Sequence, residues 1–285
     1  MELDLLKVLS PRHKPQVLFH YTSAEGLIGI LRARAIWATS IRFLNDSTEY
    51  SLAFGLAREF IEERSKKARG KFYSALYAVL SERLTLEVEE VYVSSFTENP
   101  DQLSQWRAYC PATGGYAIGF RSKLLVDVPA PPIRRFLVRC IYESDVHEEL
   151  VQKLVKSVVS TAEEGLHEMS QDRVFREAYK RLGRLLPMLA PALKDPSFAE
   201  EREWRLVCLP ASFENDTPQF RQGRSMLVPY YTHSFRKNAP VPIEELVIGP
   251  TPHPALAHDG TRSLLSAYQL PSSNLRSSQI PYRNW

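Results

Sequence analysis

The chain has 285 residues, 44% hydrophobic and 24% charged, with a formal net charge of +3; this is ordinary for a globular protein with room for a buried core. So small a basic excess excludes any argument from charge alone for nucleic acid or an anionic membrane. An N-terminus reading MELDLLKVLSPRHKPQ has no signal-type apolar core and no run of about 18 apolar residues follows, while Cys110, Cys140 and Cys208 are too sparse for a disulfide framework.

These features read as a cytoplasmic chain. Its thiols are expected to act as small buried apolar residues, with no zinc site and no lipidation or sorting signal in the tail SSNLRSSQIPYRNW.

In chain order, VLFHYT at 17–22 reads as a strand. Ser23 then caps a helix whose Leu27, Ile30 and Leu31 recur at helical spacing. IWAT at 36–39 is a second extended segment. In FLNDSTEY, Asp46 and Glu49 have the spacing of a capping box before the amphipathic LAFGLAREFIEER. A helix over about 71–84 precedes a strand at 91–96. Asn99, Pro100 and Asp101 then mark a turn into the short helical LSQWRAY, and Gly114-Gly115 breaks the chain before the strand YAIGF.

RFLVRCIY at 135–142 is a further strand. A long helical stretch at 145–183 carries the apolar stripe Val151, Leu154, Val155 and Val158, and a last helical patch ends near Lys194. Strand character returns in EWRLVCL (203–209), MLVPYY (226–231) and ELVIGP (245–250), before a helix over about 253–268. Strands and helices interleave without a βαβ repeat. The expected fold is therefore α+β: a mixed or antiparallel central sheet with flanking helices and a helical insertion at about 145–194, in a single domain over 1–285 with its core at about 17–250.

Five constellations could carry chemistry, each with a plainer structural reading beside it. His20, followed by Tyr21 and Thr22, sits in an apolar strand, as a satisfied core histidine or as a ligand contact at a strand end. Asn45 and Asp46 either cap a helix with Glu49 or read sugar hydroxyls. Trp106, Arg107 and Tyr109 either pack on the sheet or frame a flat ring and a phosphate, with Gly114-Gly115 allowing close backbone approach. Strand alternation puts Glu201, Glu203 and Arg205 on one face, as a solvated charged face or as a carboxylate that steadies a cationic sugar. Arg173, Arg176, Lys180 and Arg184 form a basic helical stripe, solvated or a contact for nucleic acid. The P-loop, dinucleotide-fold, nucleophile-elbow and H-E-x-x-H patterns do not occur.

Four ordered blocks resemble a bacterial family of unknown function, numbered 2971: FHYTSAEGLIGILRARAIWATSIRFLNDSTEY, SFTENPDQLSQWRAYCPATGGYAIGF, EREWRLV and ELVIGP, spanning about residues 17–250. Ser47 stands where that family's pattern has Pro after Asn-Asp. A second resemblance is to the ADP-ribosyltransferase superfamily of the His-Tyr-Glu type. HYTSAEGLIGILRARAIWAT is similar to its H-x-[TS] strand and following helix, and Glu201-Arg202-Glu203 is similar to its E-x-E strand start.

That resemblance implies a protein that uses or cleaves NAD, acting as a toxin or antiphage defence effector on a macromolecule. His20 would hold the nicotinamide ribose, and Tyr109 or Tyr116 would stack on nicotinamide. Tyr21, Thr22, Asn45, Asp46 and Arg205 would complete the site. Glu203 would bind the ribose 2′-hydroxyl and stabilise the oxocarbenium-like state, with Glu201 serving the acceptor. His20 and Glu203 should then lie on neighbouring strands and face one cleft. The alternatives are a non-catalytic module sensing a nucleotide or protein, and a metal-dependent phosphoesterase using His20, Asp46 and Glu203.

Overall fold

In the computed structural model the described residues are 5, 8–9, 11, 13–44, 49–85, 91–111, 114–126, 134–210, 217–223, 225–236, 241–272 and 274–282. They form a mixed α+β fold around a ten-stranded, mostly antiparallel open sheet. The strands are β1 (Val17–Thr22), β2 (Ala35–Ser40), β3 (Tyr92–Thr97), β4 (Tyr116–Arg121), β5 (Arg134–Arg139), β6 (Glu203–Leu209), β7 (Gln219–Gln222), β8 (Leu227–Ser234), β9 (Ile243–Ile248) and β10 (Leu275–Ser277). The longer helices are α1 (Ala24–Ala33), α2 (Glu49–Lys67), α3 (Lys71–Thr85), α4 (Leu103–Tyr109), α5 (Ser122–Val126), α6 (Ser144–Gly165), α7 (Gln171–Leu189) and α8 (Pro254–Ala267).

Local chemistry accounts for several boundaries. The Ser23 hydroxyl accepts from the Gly26 amide and so caps α1, whose Leu27, Ile30 and Leu31 are buried. Asp46, which the sequence pairs with Glu49 in a capping box, lies outside the described residues. β6 starts at Glu203, as its sequence suggests. The strands β7 and β10 escaped the sequence reading because QFRQ and LRS are short edge segments without a buried face.

Helices cover both faces of the sheet. On one face α2, α3 and the inserted pair α6–α7 bury Val93, Val138 and Val207. On the other, α1, α5 and α8 bury Leu18, Tyr92, Phe96, Trp204 and Leu206. Trp204 and Leu206 alternate with Glu203 and Arg205 along β6, which fixes the face that the two charged residues share.

The path of the sheet forks at β3. One edge of β3 pairs with β6 along its whole length, from Tyr92↔Cys208 to Thr97↔Glu203. Its other edge is shared: β1 pairs at one end through Phe19↔Thr97, and β2 at the other through Thr39↔Val93 and Ser40↔Tyr92. β1 and β2 therefore diverge on either side of Ser95.

Candidate functional site

The fork opens into a cleft of about 740 Å³, a size suited to a small-molecule ligand. Its floor is β1, β3 and β6. One wall is α4, through Gln105, Ala108 and Tyr109; the other is the segment between α7 and β6, through Lys194, Phe198 and Glu201. β2, β7 and β8 extend the floor with Trp37, Thr39, Arg221 and Val228.

His20 fills the fork. Its Nδ1 lies 2.9 Å from the Ser95 carbonyl, and its ring sits 5.8 Å from that of Phe96. A carbonyl only accepts, so Nδ1 carries the proton and Nε2 is left as an acceptor on a ring that lines the cleft. Burial holds the His20 pKa below its ordinary value and favours this neutral form, against the opposing effect of the Ser95 bond. On the β2 side Ser94 donates its hydroxyl to the Trp37 carbonyl at 2.9 Å. These two side-chain bonds secure β1 and β2 where their backbones part.

Glu203 lies in the row Phe19–Thr97–Glu203 across three strands. Alternation starts His20, one residue further along β1, on the opposite face. His20 and Glu203 line the same cleft, His20 from the fork and Glu203 from the floor. Their strands flank β3 and do not adjoin each other.

Glu203 is not a solvated charge. It is 5% exposed and Arg205 is 1% exposed. Arg205 donates Nε to Glu203 Oε1 and Nη2 to Oε2, both at 2.9 Å, and Nη1 to the Pro191 carbonyl at 3.1 Å. Lys194 donates to Glu203 Oε2 at 2.6 Å and to Glu201 Oε2 at 2.5 Å, with its ammonium 4.9 Å from the Phe198 ring. Burial alone would raise the Glu203 pKa, but the charges and hydrogen bonds of Arg205 and Lys194 outweigh it and hold the carboxyl at about 2. The backbone contributes as well: Arg202, left-handed at φ 42°, ends a turn at Pro196–Glu201 that brings Glu201 back over β6.

The remaining expected site residues divide. Tyr109 lines the cleft, 38% exposed. Tyr21 also lines it, but its hydroxyl is engaged, donating to the Asn99 carbonyl and accepting from the Gln102 amide, both at 3.0 Å. Arg205 is committed to Glu203 and Pro191. Thr22 and Tyr116, paired across β1 and β4, lie away from the cleft; the Tyr116 hydroxyl meets Thr261 of α8 at 3.1 Å. Asn45 and Asp46 lie outside the described residues.

Gly114 and Gly115 are not among the residues that line the cleft, and close packing requires a glycine at 115: a Cβ there would stand 2.4 Å from the Cys110 sulfur and 2.9 Å from the Thr22 carbonyl. Cys140 and Cys208 are buried, Cys110 is half-buried, and none of the three forms a disulfide. Arg173, Arg176, Lys180 and Arg184 lie on the exposed face of α7. Lys180 pairs there with Glu177 at 3.5 Å. Among the described residues, no group of three or more His, Cys, Asp and Glu gathers where it could hold a metal ion, and no helix is long and apolar enough to cross a membrane.

Four contributors were not legible in the sequence. Lys194 ends a helical patch and carries no motif. Trp37 (47% exposed) and Met226 (56% exposed) form an apolar rim that only the meeting of β2 with the β7–β8 hairpin creates. Arg221 reaches the Thr39 hydroxyl at 3.5 Å and forms no ion pair among the described residues.

Residues 105–206 match the model of a family described as "Protein of unknown function (DUF2971)". The matched stretch carries Tyr109, Lys194, Glu201, Glu203 and Arg205, but not His20, Trp37 or Arg221, and it is narrower than the 17–250 expected from the four sequence blocks. No curated protein and no solved structure matches the chain.

Proposed function

We propose that the cleft binds a nucleotide-type small molecule, NAD being the one we assign, and that the chain acts on it in the manner of an ADP-ribosyltransferase or NAD glycohydrolase. The observation that carries this reading is the convergence of His20, Tyr109 and Glu203, from three distant stretches of sequence, on one cleft. Around them are groups that suit each part of such a ligand. Trp37, Tyr109 and Met226 offer surfaces for flat rings. The Nε2 of His20, left as an acceptor by the Ser95 bond, accepts from a ribose hydroxyl or an amide. Arg221, unlike Arg205, pairs with no carboxylate among the described residues and suits a phosphate.

Cleavage makes one demand on this arrangement. An ionised carboxylate must face the positive charge that develops at the ribose as nicotinamide leaves. Glu203 is ionised, but both its oxygens already accept from Lys194 and Arg205. The Lys194 contact would have to yield to the ribose 2′-hydroxyl, leaving the Arg205 fork to orient the carboxylate.

The same ion pairs favour a second reading, a binding module that senses a nucleotide without cleaving it. The metal-dependent phosphoesterase has less support, since two cations already occupy the Glu203 oxygens and would repel a metal ion.

The test is calorimetric titration of the purified chain with NAD, followed by nicotinamide release from wild type, Glu203→Gln and Glu201→Gln, with and without cell extract as acceptor. Release that falls about 10²–10³-fold in Glu203→Gln, with its fold retained, supports the transferase. Binding without release leaves the sensing module. A wild type that neither binds nor cleaves NAD overturns the proposal.

A further inference from the structure

We infer that Asp101 is a positioning residue for the cleft, and that it acts by strapping the C-terminal segment Ser278–Tyr282 to α4. The inference rests on the nucleotide reading of the cleft and adds what sets the place of its wall.

α4 has only seven residues, and no side chain caps its N-terminus. Helices that short are not stable by themselves, so tertiary contacts must hold it. One of its faces looks into the cleft through Gln105, Ala108 and Tyr109. The contacts that hold the helix lie on its other sides.

Asp101, two residues before α4, accepts three hydrogen bonds. Trp106 Nε1 donates to Oδ1 at 2.7 Å from within the helix. The Ser278 hydroxyl donates to Oδ1 at 2.6 Å and the Gln279 amide to Oδ2 at 2.9 Å, both from the tail. One carboxylate thus ties the cleft-lining helix to a segment about 180 residues away in sequence, a charge-assisted arrangement of the stronger kind.

The tail is fixed from its other side as well. The Ser278 amide donates to the Ile248 carbonyl at 2.7 Å, so the strap continues directly from β10 on the sheet. Ile280 packs on the small core of Phe19, Tyr21, Trp106, Ala117 and Val247, and the Arg107 guanidinium lies 4.9 Å from the centre of the Tyr282 ring. The tail therefore grips α4 at Trp106 and Arg107, the two residues flanked by Gln105 and Ala108 of the cleft wall. Loosening it should let Tyr109 drift without touching any group in the cleft.

The experiment uses the full chain carrying Asp101→Ala, the pair Ser278→Ala with Tyr282→Ala, and Ser278→Thr, which keeps the hydroxyl. Hydrogen exchange is followed at the amides of Trp106 in α4 and of Cys110, which bonds the Trp106 carbonyl at its C-terminal end, with β6 amides as internal control, and the NAD dissociation constant is measured in parallel. The strap requires that Asp101→Ala and the tail pair each speed α4 exchange by about tenfold or more, leave β6 unchanged, and weaken NAD by about tenfold. Ser278→Thr should restore wild-type behaviour. Unchanged α4 exchange overturns the strap, and faster exchange with an unchanged NAD constant overturns its role in the cleft. If α4 exchange responds but the wild type binds no NAD, the strap stands and the assignment of NAD falls.

Discussion

Lys194 donates to Glu203 Oε2 at 2.6 Å from a position 3% exposed, so the carboxylate that the E-x-E pattern singles out is held by a cation no pattern marks. With Arg205 and the half-buried Glu201 it forms a largely buried group of two positive and two negative side chains, closed at the Pro191 carbonyl. Removing Lys194 leaves Glu201 without that cation and Glu203 with Arg205 alone, two carboxylates against one cation in a largely buried site, which is costlier than the Lys194 pairing was favourable. Lys194→Met is therefore expected to destabilise the fold by about 3 kcal/mol or more, read as a shift in the urea midpoint. An unchanged midpoint would mean that Glu203 is satisfied without it.

The same group sets an acid limit. The folded Glu203 has its pKa depressed to about 2 from 4.5, so its stabilisation is complete above the unfolded value and is lost as pH falls from there toward 2. Wild-type stability should drop between those limits more steeply than that of Glu203→Gln, which has no proton to take up at this site. Urea midpoints at a series of pH values compare the two slopes. Parallel slopes would contradict the pairing.

His20 gives the cleft a separate dependence. Its folded pKa is lowered by burial, so the neutral ring is the folded form, and its contribution to stability is present above the unfolded value and lost as pH falls below it. A proton on Nε2 also turns the acceptor facing the ligand into a donor. NAD should bind with little change from pH 8 down to about 6.5 and weaken on further acidification. His20→Ala should weaken binding throughout and flatten that dependence. Calorimetry on both proteins distinguishes this from a general acid loosening, which the variant would share.

Trp106 anchors α4. It is 3% exposed, meets Tyr21 edge-on at 4.5 Å and lies so close to Gly249 that a Cβ there would stand 2.8 Å from its ring. Trp106→Ala is expected to cost about 3–5 kcal/mol, the range for a buried large aromatic. Chemical denaturation measures it, and a change of under about 1 kcal/mol would place the ring outside the core.

Gly115 admits no side chain. Its would-be Cβ clashes with Cys110 and with the Thr22 carbonyl, which is backbone and cannot swing aside. Gly115→Ala should destabilise by about 1–3 kcal/mol, with NAD affinity changed much less than stability. A large loss of affinity in a stable Gly115→Ala protein would assign a ligand role to this turn.

What the sequence determined by itself is local. The alternation in EWRLVCL places Glu203 and Arg205 on one side and Trp204 and Leu206 on the other. The apolar stripe of 151–158 buries as a helix face, and Ser23 caps α1. Each rests on periodicity or on a bond within a few residues, which adjacent sequence encodes. Even there the burial of the charged side of β6 was not legible, because alternation says which residues share a face and not what covers it.

Only the tertiary structure decided the site. The fork in β3 that admits His20 depends on β1 and β2 sharing one edge. The Lys194–Glu203 contact depends on a turn folding back over β6. The apolar rim depends on Trp37 of β2 and Met226 of the turn between β7 and β8 lining one cleft. These are long-range pairings, selected by the burial of whole faces together, and a single stretch of sequence carries no signal for the partner it will meet.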